Sequence, residues 1–363
     1  MTETLTCERF FDGERLHGPS RITIDEGVLT TISSHDGTCD HHLISPGFVD
    51  LQINGWDDID VATASTDDLV RLGSTLATRG TTSWLGTIVT APLDQMSRSI
   101  SAVADSRRRV TVPGLVGMHL EGPFLGGSPG AHRRRHIIDA DPAWIDSLSD
   151  VVRLVTLSPE NPTAEEAVRL LVSRGITVSL GHSQPTREQF DVAVAAGASM
   201  VTHLFNGMSG VHHRTGGLAL WALTDRSVSW GLIADMVHVS PEAVALAFAV
   251  DSGARTCLVS DSVAWRSPWA VDRGVHIVDG APRLADGTIA GSSTTLADCV
   301  RLAVTTSGVD LRAALAAATS TPARLLGDAT IGRLGVGSGA DIVVLDSGLH
   351  VVDARTRLPS ARA

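Results

Sequence analysis

The sequence predicts an α/β fold: a (β/α)8 barrel of the TIM type, joined to a small β domain built from both chain ends. Three observations predict it. Eight short apolar runs recur through the middle of the chain, spaced by about one strand-plus-helix unit each. Metal-ligand types of side chain fall at the C-terminal ends of those runs, where such barrels keep their chemistry. The two chain ends both read as β, unlike everything between them.

At the N-terminal end, Leu5 to Phe11, Ser20 to Ile24 and Val28 to Ser33 are separated by Asp12-Gly13 and Glu26-Gly27, dipeptides that turn hairpins. His41-His42 comes next and reads as a linker feature, not a ligand pair. The barrel runs are Gly47 to Ile53, Thr81 to Ile88, Val112 to Glu121, Val151 to Leu157, Ile176 to His182, Ala198 to Leu204, Val228 to Asp235 and Thr256 to Asp261. Between them, Ala164 to Ser173, Thr186 to Ala196 and Pro241 to Val250 have helical composition, with Pro185 and Pro241 placed where helices begin. At the C-terminal end, the loop Gly332 to Gly339 leads into strands at Asp341 to Leu345 and His350 to Val352. The expected division is residues 1–46 with 334–363 for the small domain, and 47–333 for the barrel.

Composition narrows the function classes. The 363 residues are 43% hydrophobic and 19% charged, enough apolar side chain for a sizeable core. A net charge of −11 argues against nucleic acid, whose phosphates need concentrated positive charge. All 29 basic residues are arginine; the chain has no lysine. Four scattered cysteines read as reduced thiols, and no apolar run has the length of a membrane span, so the expected setting is the cytoplasm.

The run ends carry the chemistry. They place Glu121, His182, His203 and Asp261 at equivalent positions on different strands, with His238 just past the seventh. One such histidine is usually a hydrogen-bonded structural residue, but four ligand-type groups at equivalent ends point to a shared site. Glu121, His182 and His203 make a His2Glu set suited to one catalytic divalent metal with a position left for water. Zinc heads the candidates, and iron, manganese and cobalt suit the same donors. Asp261 is then the expected general base.

The same segments resemble the N-acetylglucosamine-6-phosphate deacetylases of the amidohydrolase superfamily. The resemblance runs through Pro46 to Gly55, His119-Leu-Glu-Gly-Pro-Phe124, Leu180-Gly-His-Ser183, Thr202-His-Leu-Phe-Asn-Gly-Met208, Ile233-Ala-Asp235, Val237-His-Val239 and Leu258-Val-Ser-Asp261. It continues through Leu284 to Ser292, Pro322 to Gly327 and Gly339 to Asp346. It implies an amidohydrolase barrel with a small β-sandwich, paired as a homodimer, that hydrolyses the acetamide of an amino-sugar phosphate. By that resemblance His132 contacts the substrate carbonyl, and Asn206, Gly207, Arg214 and His238 hold the sugar phosphate. Gln52 and Asn54 stand where two-metal relatives carry paired histidines, and a chain without lysine cannot supply a carbamylated-lysine bridge. One metal per subunit is therefore expected.

Several positions depart from the family pattern. Trp56-Asp57-Asp58 replaces a glycine-rich turn, Met236 a glycine, and Arg133 to Arg135 a proline-containing stretch. Trp265 and Trp269 replace small residues. Pointed inward, Asp57 and Asp58 would repel an anionic sugar, and Met236 would crowd it. Two other readings therefore stand beside the first. One is a deacylase for N-acetylgalactosamine 6-phosphate or an unphosphorylated amino sugar; the other is a non-catalytic sugar-phosphate binder.

Overall fold

The computed structural model describes residues 2–356; Met1 and residues 357–363, the end of the expected small domain, lie outside the described residues. Eight parallel strands form one sheet in sequence order, from Phe48–Ile53 through Thr81–Val89, Leu115–Glu121, Val152–Leu157, Thr177–Leu180, Met200–Val201 and Ser229–Leu232 to Thr256–Leu258. The first and last strands are joined by the parallel bridge Ile53–Ser262 and by the Asn54 amide donating to the Ser262 carbonyl at 2.8 Å. The sheet thus closes nearly into a barrel. Its first strand is buried at every residue, as a strand covered on both faces should be. Val49, Leu51, Leu85, Leu154, Met200, Ile233 and Val259 share one apolar cluster.

The helices follow from their own sequence signals. Ala164–Ser173 buries Ala164, Ala167, Val168 and Leu171, the spacing of a single helix face. Arg187–Ala196 starts in a capping box, Thr186 with Gln189, and stops at Gly197, whose φ of 116° suits glycine. Pro241–Ala249 has Ser240 as cap and its proline in the first turn, where the missing N–H costs nothing.

Both chain ends meet in one seven-stranded sheet. Its path is Val351–Arg355, Ile342–Leu345, His41–Pro46, Thr2–Phe11, Ser20–Asp25 and Val28–Ser34, with Leu16–His17 paired to the side. His41-His42 therefore opens a strand of this sheet instead of acting as a linker, and His42 Nδ1 bonds Glu8 at 2.7 Å. Leu5, Phe10, Ile22, Ile44, Ile342 and Val344 give the sheet its own apolar cluster. No helix among the described residues is long and apolar enough to cross a membrane.

Candidate metal centre and substrate cavity

The third, fifth, sixth and eighth strands deliver their terminal side chains to one point. His182 Nε2 lies 3.1 Å, and His203 Nε2 3.0 Å, from Glu121 Oε1, and the two imidazole nitrogens are 3.0 Å apart. All three residues are buried. The backbone aims them: His182, His203 and Asp261 have φ of 50°, 29° and 49°. Non-glycine residues rarely enter this left-handed region, so each bears a cost that the surrounding barrel must hold.

Hydrogen bonds fix which nitrogen faces inward. His182 Nδ1 donates to the Ser128 carbonyl at 3.0 Å, leaving its Nε2 lone pair for the cluster. His132 joins from the loop after the third strand, with Nε2 3.2 Å from His182 Nε2 and 3.8 Å from Glu121 Oε2. Its Nδ1 meets the Thr90 hydroxyl at 2.9 Å. Burial, then the neighbouring His182, pushes the His132 imidazole down to about 3, so it is neutral near pH 7. His182 and His203 turn their inward nitrogens on Glu121 Oε1, with His132 near Oε2, a convergence of lone pairs that a shared cation would satisfy. Glu121, His132 and His182 also bring their ligand atoms within 4.8 Å of one another. The donor set fits a divalent metal.

Asp261 stands beside this cluster. Its Oδ1 accepts from Asn54 Nδ2 at 2.8 Å and from Gln52 Nε2 at 3.0 Å, and Gln52 also donates to Glu121 at 3.1 Å. Burial, with the charge of Glu121, lifts its carboxyl to about 7. Gln52 and Asn54 alternate along the first strand and so share a face, a signal that could have marked them as active parts of the site. Thr90 and Ser128 carried no comparable signal.

A cavity of about 290 Å³ opens onto these groups, in the range of small-ligand sites. Glu121, His132, His182, His203, Asn206, Gly207, His238 and Asp261 all line it. His238 Nδ1 donates to Asp235 at 2.7 Å, fixing the ring. Arg214 is not brought in: it is exposed, and its Nε bonds the neighbouring His213 at 3.0 Å.

The departures from the family pattern mostly turn away from the cavity, contrary to the crowding anticipated from sequence. Asp57 pairs with Arg266 at 3.2 Å and Asp58 with Arg71 at 3.1 Å, both on the surface. Met236 keeps a glycine-like φ of 64° but packs its side chain against the core and Ser307. Trp265 meets Trp56 edge-on, ring centroids 4.8 Å apart, clasping the first and last strand-end loops. Of the departing residues named above, Arg133 and Trp269 line the cavity.

Known proteins resemble this chain throughout. The amidohydrolase family model matches residues 43–360. An N-acetylglucosamine-6-phosphate deacetylase of Bos taurus is 34% identical over 93% of this chain and 87% of its own length. An N-acetylgalactosamine-6-phosphate deacetylase of Escherichia coli O157:H7 is 34% identical, covering 97% of each chain. Among solved structures, a mutant N-acetyl-D-glucosamine-6-phosphate deacetylase of Mycobacterium smegmatis in complex with N-acetyl-D-glucosamine-6-phosphate superposes with a TM-score of 0.90, at 29% identity over 98% of both chains.

Proposed function

The chain belongs to the amidohydrolase family, and from that premise we propose that it hydrolyses N-acetylglucosamine 6-phosphate to glucosamine 6-phosphate and acetate. It is an enzyme acting on an amide, built around a divalent-metal site. The observation that carries the reading is the meeting of Glu121, His182, His203 and Asp261 at the inner end of one sugar-sized cavity.

In this reading Glu121, His182 and His203 hold one metal ion, which when bound lowers the pKa of water and polarises a carbonyl. Zinc is the ion proposed, since two imidazoles and a carboxylate suit it. Asp261 takes a proton from water as that water attacks the acetamide carbon. The carbon–nitrogen bond then breaks, and Asp261 returns the proton to the leaving nitrogen. Gln52 and Asn54 hold the Asp261 carboxylate in place through both bonds above. His132, set by Thr90, lies where the substrate carbonyl would enter. Asn206, Gly207 and His238 contact the sugar phosphate from the cavity wall, while Arg214, expected with them, stands on an exposed loop outside that wall.

The catalytic unit proposed is residues 47–333, with 1–46 and 334–363 as the accessory domain. A homodimer rests on the family resemblance, and a cytoplasmic setting agrees with four free cysteines. The test is acetate release by zinc-loaded protein from N-acetylglucosamine 6-phosphate, with N-acetylgalactosamine 6-phosphate in parallel. Chelator-sensitive turnover favouring the gluco sugar is expected. Preference for the galacto epimer would move the assignment to the second reading.

A further inference from the structure

The fourth barrel strand, Val152–Leu157, lies between the two strands that deliver Glu121 and His182, yet none of the cluster's residues comes from it. It is followed by Ser158-Pro159-Glu160, and the Glu160 carboxylate stands outside the cavity wall. Glu160 Oε2 accepts from the Gln184 amide at 2.7 Å, the Ser183 hydroxyl at 2.9 Å and the Gly127 amide at 3.1 Å. The Ser158 hydroxyl lies 3.2 Å from the same oxygen. Burial would raise this carboxyl, but the Gln184 and Gly127 amides and the two serine hydroxyls hold it below the usual glutamate range. It is an ionised acceptor on which donors from the loops after the third, fourth and fifth strands converge, and such charge-assisted bonds are the strong ones. The packing is shaped to it: a Cβ on Gly126 would stand 2.3 Å from both Glu160 Oε2 and Ser158 Oγ.

The segments tied in this way meet at one imidazole. Ser183 and Gln184 directly follow His182, whose φ of 50° is the strained setting that aims its ring. Gly127 directly precedes Ser128, whose carbonyl takes the His182 Nδ1 proton at 3.0 Å. Gln184 Nε2 adds a bond to Ser128 Oγ at 2.8 Å, and the Gly126 amide donates to the His182 carbonyl at 3.0 Å. One carboxylate thus steadies both the backbone that presents His182 and the acceptor that decides which nitrogen turns inward. Groups placed behind a ligand histidine in this way set its orientation and its basicity.

We infer that Glu160 is a positioning residue for the metal centre, locking the His182 ring in its ligating orientation by holding Gly127, Ser183 and Gln184 on one oxygen. The inference rests on the metal reading above and extends it to a loop outside the cavity.

The experiment loads metal-free protein with cobalt and measures its dissociation constant and visible absorption bands. Wild type is compared with Glu160→Ala, Glu160→Gln and Gln184→Met. For Glu160→Ala, cobalt affinity is expected to fall about 10- to 100-fold, the usual weight of a group behind a ligand histidine, with the bands shifted. At saturating metal kcat should fall more than KM for the sugar phosphate rises. Glu160→Gln should recover most of the affinity, because its amide oxygen can accept the same bonds. Gln184→Met removes one tie and keeps the carboxylate, so it should move affinity and bands the same way by less. Wild-type affinity and bands in Glu160→Ala, whatever its activity or melting temperature, would make the carboxylate a loop staple only and overturn the inference. Should Glu160→Ala not fold, wild-type affinity and bands in Gln184→Met would overturn it equally. A wild-type protein that binds neither cobalt nor zinc would instead overturn the metal reading, and this assignment with it.

Discussion

The two ends of one cavity are built by different rules. At the inner end, Glu121, His182, His203 and Asp261 stand on the ends of four barrel strands, buried and within hydrogen-bonding reach of one another or of a shared amide. At the mouth, the loops after the first, third and eighth strands meet through surface pairs, Asp57 with Arg266 and Arg133 with Asp272, and through the Trp56–Trp265 contact. Strand ends give a side chain a fixed direction, because closure of the sheet sets it. Loop residues take theirs from partners far away in sequence. Under the proposed function, chemistry is held at the inner end and selectivity is set at the mouth.

The sharpest way to test that division is at Asp261. Asp261→Asn keeps the size and the bond from Asn54 but cannot carry a proton. Turnover should drop by about 10³- to 10⁴-fold with the metal content unchanged. A variant retaining a tenth of the activity would remove Asp261 from the proton path.

Metal removal should act on the same end through stability as well as rate. A ligand that binds only the folded state at a hundred times its Kd adds about 2.7 kcal/mol. Chelated protein should therefore melt at lower temperature, and zinc should restore the wild type but not Glu121→Gln. Equal melting with and without zinc would contradict the metal centre.

The mouth should respond weakly. Asp57 and Asp58 face solvent and arginine, so Asp57→Asn with Asp58→Asn should change KM for the phosphorylated sugar by less than about threefold. A tenfold fall in KM would place those carboxylates against the substrate and erase the contrast between the two ends.

A separate effect, on stability alone, concerns Asp50, buried in the first barrel strand. Burial pushes its carboxyl up to about 7, although the Ser260 and Gln52 amides donate to it. The folded state thus keeps this proton up to about pH 7, while the unfolded chain loses it near 3.8. Protons bound by the folded state exceed those bound by the unfolded chain in that window, so this residue's contribution to stability declines as pH rises through it and is level above. Asp50→Asn should flatten that slope in urea titrations between pH 4 and 7. An unchanged slope would mean that the group ionises normally.

Much of the fold could be read from residue pattern. Helix Ala164–Ser173 falls on its expected residues, because its apolar spacing had no competing signal. The sixth barrel run shows where reading overshoots. Ala198 to Leu204 mixes four apolar residues with Ser199, Thr202 and His203, and only Met200–Val201 is strand. Thr202 and Leu204 still bond the neighbouring strands, but the backbone between them turns at His203, whose φ is 29°. The meeting of Glu121, His182 and His203 was legible for the same reason, since a side chain at a strand end is marked by position as well as type. The mouth was not. Nothing near Asp57 in sequence announces Arg266.

The central claim is that amide chemistry occurs at the inner end while the anion is held at the mouth. The most direct measurement is a crystal structure of zinc-loaded Asp261→Asn with N-acetylglucosamine 6-phosphate bound. The acetamide is expected against the metal between His182, His203 and residue 261, with the phosphate toward Asn206, Gly207 and His238. A sugar seated the other way round, or bound with its acetamide away from Glu121, would contradict the account.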